Sequence, residues 1–204
     1  MAKRNTKDII LFESLKLFAD KGYDGVTVRD IAAEVGIKQS SLYKHYKSKQ
    51  EIFDTLVDTM QSRFRDASTS FQLPNGELRE MAKEYATGGN EILKKISSEI
   101  FHFYLKDPYA SQFRKMLSIE KYKNQEIDRI YREVYIETAI SYQAALFEEM
   151  INQGFMRQAD PEIIALQFFA PIFLLLNKYD GIVEKEKEAI AILGKHIEQF
   201  DMIY

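Results

Sequence analysis

The chain has 204 residues, of which 46% are hydrophobic and 29% charged, a balance typical of a soluble globular protein. It contains no cysteine, which excludes disulfides, thiolate metal sites and cysteine nucleophiles. Residues 1–50 hold ten Lys/Arg and six Asp/Glu and carry a net charge of +4. Residues 51–204 hold 18 Lys/Arg and 25 Asp/Glu and carry a net charge of −7. This asymmetry is expected where only the N-terminal segment meets a polyanion.

Neither a secretory signal nor a membrane span is predicted. The first ten residues are too polar for a signal sequence, because the apolar run at 9–12 is far shorter than a secretory core. The most apolar stretch, 163–176, contains Gln167 and Pro171 and is shorter than the ~20 residues that cross a bilayer. We therefore expect a cytoplasmic protein that does not enter a membrane.

Amphipathic spacing of three and four residues runs through almost the whole chain and predicts an all-α fold. In chain order, helices are predicted at residues 6–21, 28–35, 39–46, 49–70, 77–87, 90–106, 109–122, 125–153, 161–178 and 185–201, with a loop at 73–76. Asp107 and Asp160 each precede a proline, a pattern typical of an N-cap followed by the first helical position.

The second and third predicted helices are expected to form a helix-turn-helix. In this motif the later helix, here the third one of the chain, enters the DNA major groove. Thr27 and Asp30 resemble a capping box at the start of this unit, and Gly36 ends its first helix. The small Ala32 and Gly36 permit a close helix crossing above an apolar core of Ile31, Val35, Ile37 and Leu42. The opposite face carries side chains suited to phosphates and base edges: Lys38, Gln39, Ser40, Tyr43, Lys44 and His45.

Residues 27–52, TVRDIAAEVGIKQSSLYKHYKSKQEI, resemble the DNA-binding head of TetR-type transcriptional regulators. The matching positions are Thr27, Ile31, Ala32, Val35, Gly36, Ile37, Leu42, Tyr43, His45, Tyr46, Ser48 and Lys49. Two positions depart from the family pattern, with Tyr46 in place of Phe and Ile52 in place of Leu. A buried Tyr46 needs a hydrogen-bond partner for its hydroxyl.

The resemblance implies a role for each polar residue of the head. Gln39 is expected to read a base, since a glutamine amide pairs with adenine N6 and N7. Tyr43 and Lys44 are expected to hold backbone phosphates, and Thr27 and Lys49 to bind phosphates at two helix N-termini. The basic residues 1–7 are either a minor-groove arm or a solubilising tail.

The predicted domains are a helix-turn-helix DNA-binding domain at 1–49 and a helical effector-binding and dimerisation domain at 50–204. The 161–178 helix is apolar almost all round, whereas a monomer buries only one helix face. Pairing with the last helix and their symmetry mates would form the four-helix dimer bundle of the resembled family; a purely internal core is the alternative. The predicted interface residues are Phe168, Phe169, Ile172, Phe173, Leu176, Ile190, Leu193 and Ile197. Pro171 is expected to kink this helix.

Aromatic residues recur at helical spacing in the second domain. In the resembled family such residues surround a small-molecule pocket, and we expect that pocket at Phe101, His102, Tyr104, Phe113, Met116, Tyr131, Tyr135 and Tyr142. Simple core packing is the alternative for each one. The resemblance implies a homodimeric repressor that binds a palindromic operator in double-stranded DNA and is released by a small apolar or aromatic effector. A protein partner in place of the small molecule stays open, as does activation in place of repression.

An enzymatic function has little support in the sequence. Glu99-x-x-His102 has the spacing of one di-iron ligand pair, but such sites need two of these motifs and further carboxylates. No phosphate-binding glycine loop, dinucleotide motif or G-x-S-x-G is present. We therefore predict a protein that is not an enzyme and needs neither cofactor nor metal.

Overall fold

The computed structural model describes residues 5–70 and 77–204, and over this part of the chain the fold is all-α, without a β-strand. The helices are α1 (Thr6–Lys21), α2 (Val28–Val35), α3 (Gln39–Leu42), α4 (Lys49–Ser70), α5 (Leu78–Lys106), α6 (Pro108–Glu120), α7 (Gln125–Arg132), α8 (Thr138–Asn152), α9 (Pro161–Lys178) and α10 (Glu186–Ile203). The all-α prediction is confirmed. The predicted loop at 73–76 and residues 1–4 lie outside the described residues.

Local capping explains most helix boundaries. The side chain of Asp107 accepts hydrogen bonds from the first N–H groups of α6, and Asp160 does the same for α9, as predicted. The third helix, however, ends at Leu42 instead of 46, because the following hydrogen bonds tighten from i→i−4 to i→i−3 at Lys44 and His45.

Two longer helices are interrupted. The helices predicted at 77–87 and 90–106 form one helical run with a break at Gly89, where φ is 60° and ψ is −161°. That backbone conformation is open essentially only to glycine. A π-helical turn at Glu133–Glu137 joins α7 to α8 inside the predicted 125–153 helix. Pro171 lies inside α9, which continues from Pro161 to Lys178.

The described residues form two compact units. The first comprises residues 5–66 and 107–131, and in it α1 packs against α2 and α6 around Ile10, Leu15, Phe18, Ile31, Leu42, Phe113 and Met116. This unit therefore reaches beyond the predicted 1–49 domain, because α6, α7 and most of α4 belong to it.

The second unit comprises residues 67–106 and 132–204, and in it α8 packs against α5 and α9, and α10 against the same two helices. Its core includes Phe101, Leu146, Phe147, Ile164, Leu193 and Ile197. By length and composition alone, α9 is the one helix among the described residues that would be able to span a membrane. Core helices of soluble proteins pass the same test.

Candidate DNA-binding surface and effector cavity

The helix-turn-helix is built from local capping interactions. Thr27 Oγ1 accepts the N–H of Asp30, and the Asp30 carboxylate accepts the N–H of Thr27, so the predicted capping box is present. Gly36 ends α2 in the left-handed conformation, with φ 72° and ψ 30°, and its N–H donates to carbonyls of the last turn. These two caps fix where α2 begins and where the chain turns towards α3.

An apolar layer supports α3 from beneath. Ile31 and Leu42 are fully buried and Ala32 nearly so, whereas Val35 and Ile37 are only half-buried. Tyr46 is also buried, and its hydroxyl makes a long contact of 3.5 Å with the carbonyl of Lys7. The predicted need of Tyr46 for a hydrogen-bond partner is therefore met only weakly.

The outer face of α3 and the turn after it is polar and accessible. Lys38, Gln39, Ser40, Tyr43 and Lys44 are exposed, and His45 is half-buried. The Gln39 amide lies 3.5 Å from the Tyr43 hydroxyl, so the predicted base reader and a predicted phosphate contact are neighbours one turn apart. The structure thus brings most of the predicted DNA-binding residues onto one surface.

Thr27 is already engaged in the cap of α2. Its hydroxyl donates to the Asp30 carboxylate at 2.6 Å, and the hydrogen bonds from Thr27 hold the pKa of Asp30 below its usual range. The N-terminus of α2 therefore carries an ionised carboxylate beside the predicted phosphate site. A phosphate contact by Thr27 stays a prediction.

Lys49 is the predicted DNA-binding residue whose placement conflicts with its assigned role. Its Nζ donates to the carbonyls of Tyr23 at 2.8 Å and Val26 at 2.9 Å, and lies 4.1 Å from the centroid of the Tyr23 ring. Tyr23 is held in turn by a hydrogen bond from its hydroxyl to Gln50. The ammonium thus ties the α1–α2 loop to the start of α4. Sequence alone shows the charge of Lys49 but not the direction in which it points.

The eight predicted effector residues are divided between the two units. Phe113, Met116 and Tyr131 are buried in the first unit, where Phe113 and Met116 lie on α6. The other five lie in the second unit: Phe101, His102, Tyr104, Tyr135 and Tyr142. Within it, the rings of Tyr104 and Tyr135 are 5.5 Å apart. These residues were predicted from their helical spacing, which does not distinguish aromatic residues of the core from aromatic residues that line a pocket.

His102 lies beside a salt bridge between Lys106 and Glu186. Its Nδ1 lies 2.9 Å from a carboxylate oxygen of Glu186, which also pairs with Lys106 at 2.7 Å. Lys106 holds the pKa of Glu186 below its usual range. No group of three or more potential metal ligands occurs among the described residues.

A cavity of about 170 Å³ lies in the second unit, next to the break at Gly89. We call it the Gly89 cavity. It is lined by Tyr85, Ala86, Gly89 and Leu93 of α5, Leu146, Phe147 and Met150 of α8, Phe155 and Met156 of the following loop, and Phe200, Asp201 and Tyr204. None of the eight predicted effector residues lines it. The available signal was the glycine pair at 88–89, which predicted only a helix break.

The predicted dimer residues fall on both faces of α9 and α10. Phe168, Ile172, Leu176, Leu193 and Ile197 are buried within the single chain, whereas Phe169, Phe173 and Ile190 are half-buried. The exposed large apolar residues of these helices include Ile163, Leu166, Leu174 and Ile192, besides Met202 and Ile203 at the end of α10. The internal-core alternative therefore accounts for five of the eight residues, and an apolar face remains uncovered beside them.

Residues 10–56 match the family described as bacterial regulatory proteins, tetR family. The biofilm operon icaADBC negative transcriptional regulator IcaR of Staphylococcus epidermidis is 45% identical over 60 residues, which are 29% of this chain and 32% of that protein. IcaR of Staphylococcus aureus strain Newman is 49% identical over 51 residues, 25% of this chain and 27% of that protein. The alignments thus span no more than a third of these relatives.

The likeness to solved structures extends over nearly the whole chain. The fatty acid degradation regulator FadR from Bacillus halodurans has a TM-score of 0.65 at 18% identity, covering 98% of this chain and 97% of that one. AibR, solved in complex with isovaleryl coenzyme A and operator DNA, has a TM-score of 0.63 at 17% identity, covering 94% and 97%. At these identities the likeness establishes the fold. The helix-turn-helix residues and the family match together identify residues 10–56 as a tetR-type DNA-binding region, and the chain as a whole shares the all-α fold of these solved structures.

Proposed function

We propose that this protein is a cytoplasmic transcriptional repressor that binds a palindromic DNA operator as a homodimer and releases it when a small apolar or aromatic effector binds. The observation that carries the proposal is the exposed polar face of α3 on a capped helix-turn-helix. Gln39 and Tyr43 lie side by side there, with Lys38 and Lys44 exposed near them. The Gln39 amide suits a base edge, and the Tyr43 hydroxyl and the lysines suit phosphates.

Dimerisation follows from what one helix-turn-helix is able to do. A single recognition helix reads few base pairs, so specific affinity requires two heads held about one DNA turn apart. The uncovered apolar face at Ile163, Leu166, Leu174 and Ile192 gives the second unit a surface to pair with its symmetry mate. The names of relatives agree with this role: IcaR is a negative regulator, and AibR was solved with operator DNA.

Effector response requires two states with different DNA affinities. A ligand that prefers the state with misplaced heads weakens operator binding by its differential affinity, typically about 1–3 kcal/mol of coupling. The Gly89 cavity offers a ligand site in the second unit, and α4 begins in the first unit and ends in the second. We infer that α4 is the helix through which occupancy reaches the heads.

Selection of random duplex DNA by the purified protein near physiological salt tests the proposal. Wild type is expected to enrich an inverted repeat. Tyr43→Ala abolishes the enrichment, Gln39→Ala changes the recovered sequence, and Gln158→Ala, an exposed change in the second unit, leaves it intact. Weak binding that falls steeply with salt and ignores all three substitutions would indicate phosphate attraction alone, and would overturn sequence-specific reading.

A further inference from the structure

We propose that the Gly89 cavity binds a single-ring aromatic molecule of neutral or positive charge. This assignment deepens the proposed function, on which it rests, by naming the chemical class of the effector.

The volume limits the ligand to one ring. The Gly89 cavity measures about 170 Å³, and an engineered apolar cavity of about 150 Å³ in another protein holds one benzene molecule. The cavity therefore accommodates a six-membered ring with a short substituent. A fused two-ring system or a long acyl chain exceeds it.

The inner walls select for an aromatic ring. The Phe200 ring is 5.6 Å from that of Phe147 and 5.0 Å from that of Tyr204, so edges and faces of rings line one side. Met150 and Met156 add adaptable side chains that pack well against rings. These contacts favour a flat, polarisable guest over a flexible aliphatic one.

The two phenol groups of the lining are already occupied. The Tyr204 hydroxyl donates to Gln167, and Tyr85 hydrogen-bonds to Tyr142. The lining therefore has no phenol proton left to donate to a carboxylate or another acceptor. An acceptor substituent that enters the interior would lose its hydration without a phenol donor, so it stays at the mouth.

The exposed side of the lining includes a carboxylate, that of Asp201. Phe155 is 43% exposed and Asp201 is exposed, which places these two lining residues towards solvent. Asp201 is the only ionisable acid or base, apart from the two tyrosines, among the described residues that line the cavity. Arg157 stacks on the Tyr204 ring but does not line the cavity. A carboxylate on the guest would meet Asp201 and be repelled, whereas an alcohol or ammonium group would be accepted.

Calorimetric titration of the full chain with four probes tests this inference: benzyl alcohol, benzylamine, benzoate and octanoate. Benzyl alcohol and benzylamine are expected to bind at roughly millimolar concentration, as suits ligands of so few atoms, and at least about tenfold more tightly than benzoate or octanoate. Ala86→Leu fills the cavity and abolishes binding. Thr87→Leu, at the next and exposed position of α5, leaves it unchanged and is the matched control.

Three results would overturn the inference: no binding of either benzyl probe to wild type, equal binding of benzoate, or benzyl binding that survives Ala86→Leu. The unfolding temperature of Ala86→Leu, measured alongside, shows whether that variant is folded; if it is not, Met156→Phe, on the loop side of the cavity, takes its place. Operator binding is measured separately on the same samples. Operator binding without probe binding defeats the ligand assignment alone, whereas probe binding without operator binding defeats the proposed function.

Discussion

Replacing Lys49 by methionine separates a residue that positions the head from one that binds a phosphate. Methionine keeps the length and apolar stem of the side chain but removes the ammonium that donates to the carbonyls of Tyr23 and Val26. Hydrogen bonds to charged groups contribute roughly 1.5–3 kcal/mol each, and the contact with the Tyr23 ring about 0.5–1 kcal/mol more. Because Lys49 is only half-buried and the contacts are not independent, we expect a loss of about 2 kcal/mol of unfolding free energy.

The salt dependence of operator binding provides the second readout. The plot of log K against log salt concentration has a negative slope, and each neutralised phosphate adds about 0.9 to its magnitude. Losing one contact from each of two heads therefore lowers the magnitude of that slope by about 1.8. Lys44→Met, at an exposed position beside α3, is expected to show this decrease without loss of stability. Lys49→Met is expected to show the reverse, with lower stability and an unchanged slope. A slope whose magnitude falls by about 1.8 in Lys49→Met, at wild-type stability, would refute the positioning role.

Three further predictions follow from single contacts or backbone angles. Burial raises the pKa of Tyr46 to about 12 from 10.0. The stability contributed by the neutral phenol is therefore complete below pH 10 and is lost as pH rises through 12. In thermal melts, the unfolding temperature of Tyr46→Phe should match that of wild type near about pH 8 and exceed it above about pH 11. Gly89→Ala should lower the unfolding free energy by about 1–3 kcal/mol, because φ is positive at this position. Gly194→Ala, at a helical position with open space around it, should raise the unfolding free energy by up to about 1 kcal/mol. A Gly89→Ala variant that is more stable than wild type would refute the backbone strain expected for a non-glycine residue at position 89. Leu174→Glu should shift the protein to monomer in sedimentation, since Leu174 is 65% exposed on the uncovered face of α9. Tyr122→Glu, at a position that is 85% exposed in the first unit, should leave the dimer intact. A dimer that survives Leu174→Glu would place the interface elsewhere.

The head was predictable because its determinants are local. The Thr27–Asp30 capping box and the left-handed Gly36 each involve residues within a few positions of one another, so the residue types state the geometry. The same locality explains the Asp107 and Asp160 caps. The end of α3 was missed because its last turn tightens without any glycine or proline to mark it.

The features that depend on tertiary packing were not predictable. An all-round apolar helix such as α9 shows which residues are hydrophobic but not which face its own chain covers, so Ile172 was assigned to an interface although it is buried internally. Lys49 carries the charge of a phosphate ligand, but its direction is set by two carbonyls more than twenty residues away. The Gly89 cavity is lined by residues from three helices and a loop, and the hydrophobic periodicity of each helix does not show which helices pack together.

Separating the two half-sites of the selected operator tests most directly whether two copies of this chain bind one DNA site through α3. Inserting about five base pairs at the centre rotates one half-site by half a turn of the duplex. A dimer with fixed heads is then expected to lose at least roughly two orders of magnitude in affinity. Unchanged affinity for the separated half-sites, with one copy of the chain per duplex, would contradict dimeric operator binding.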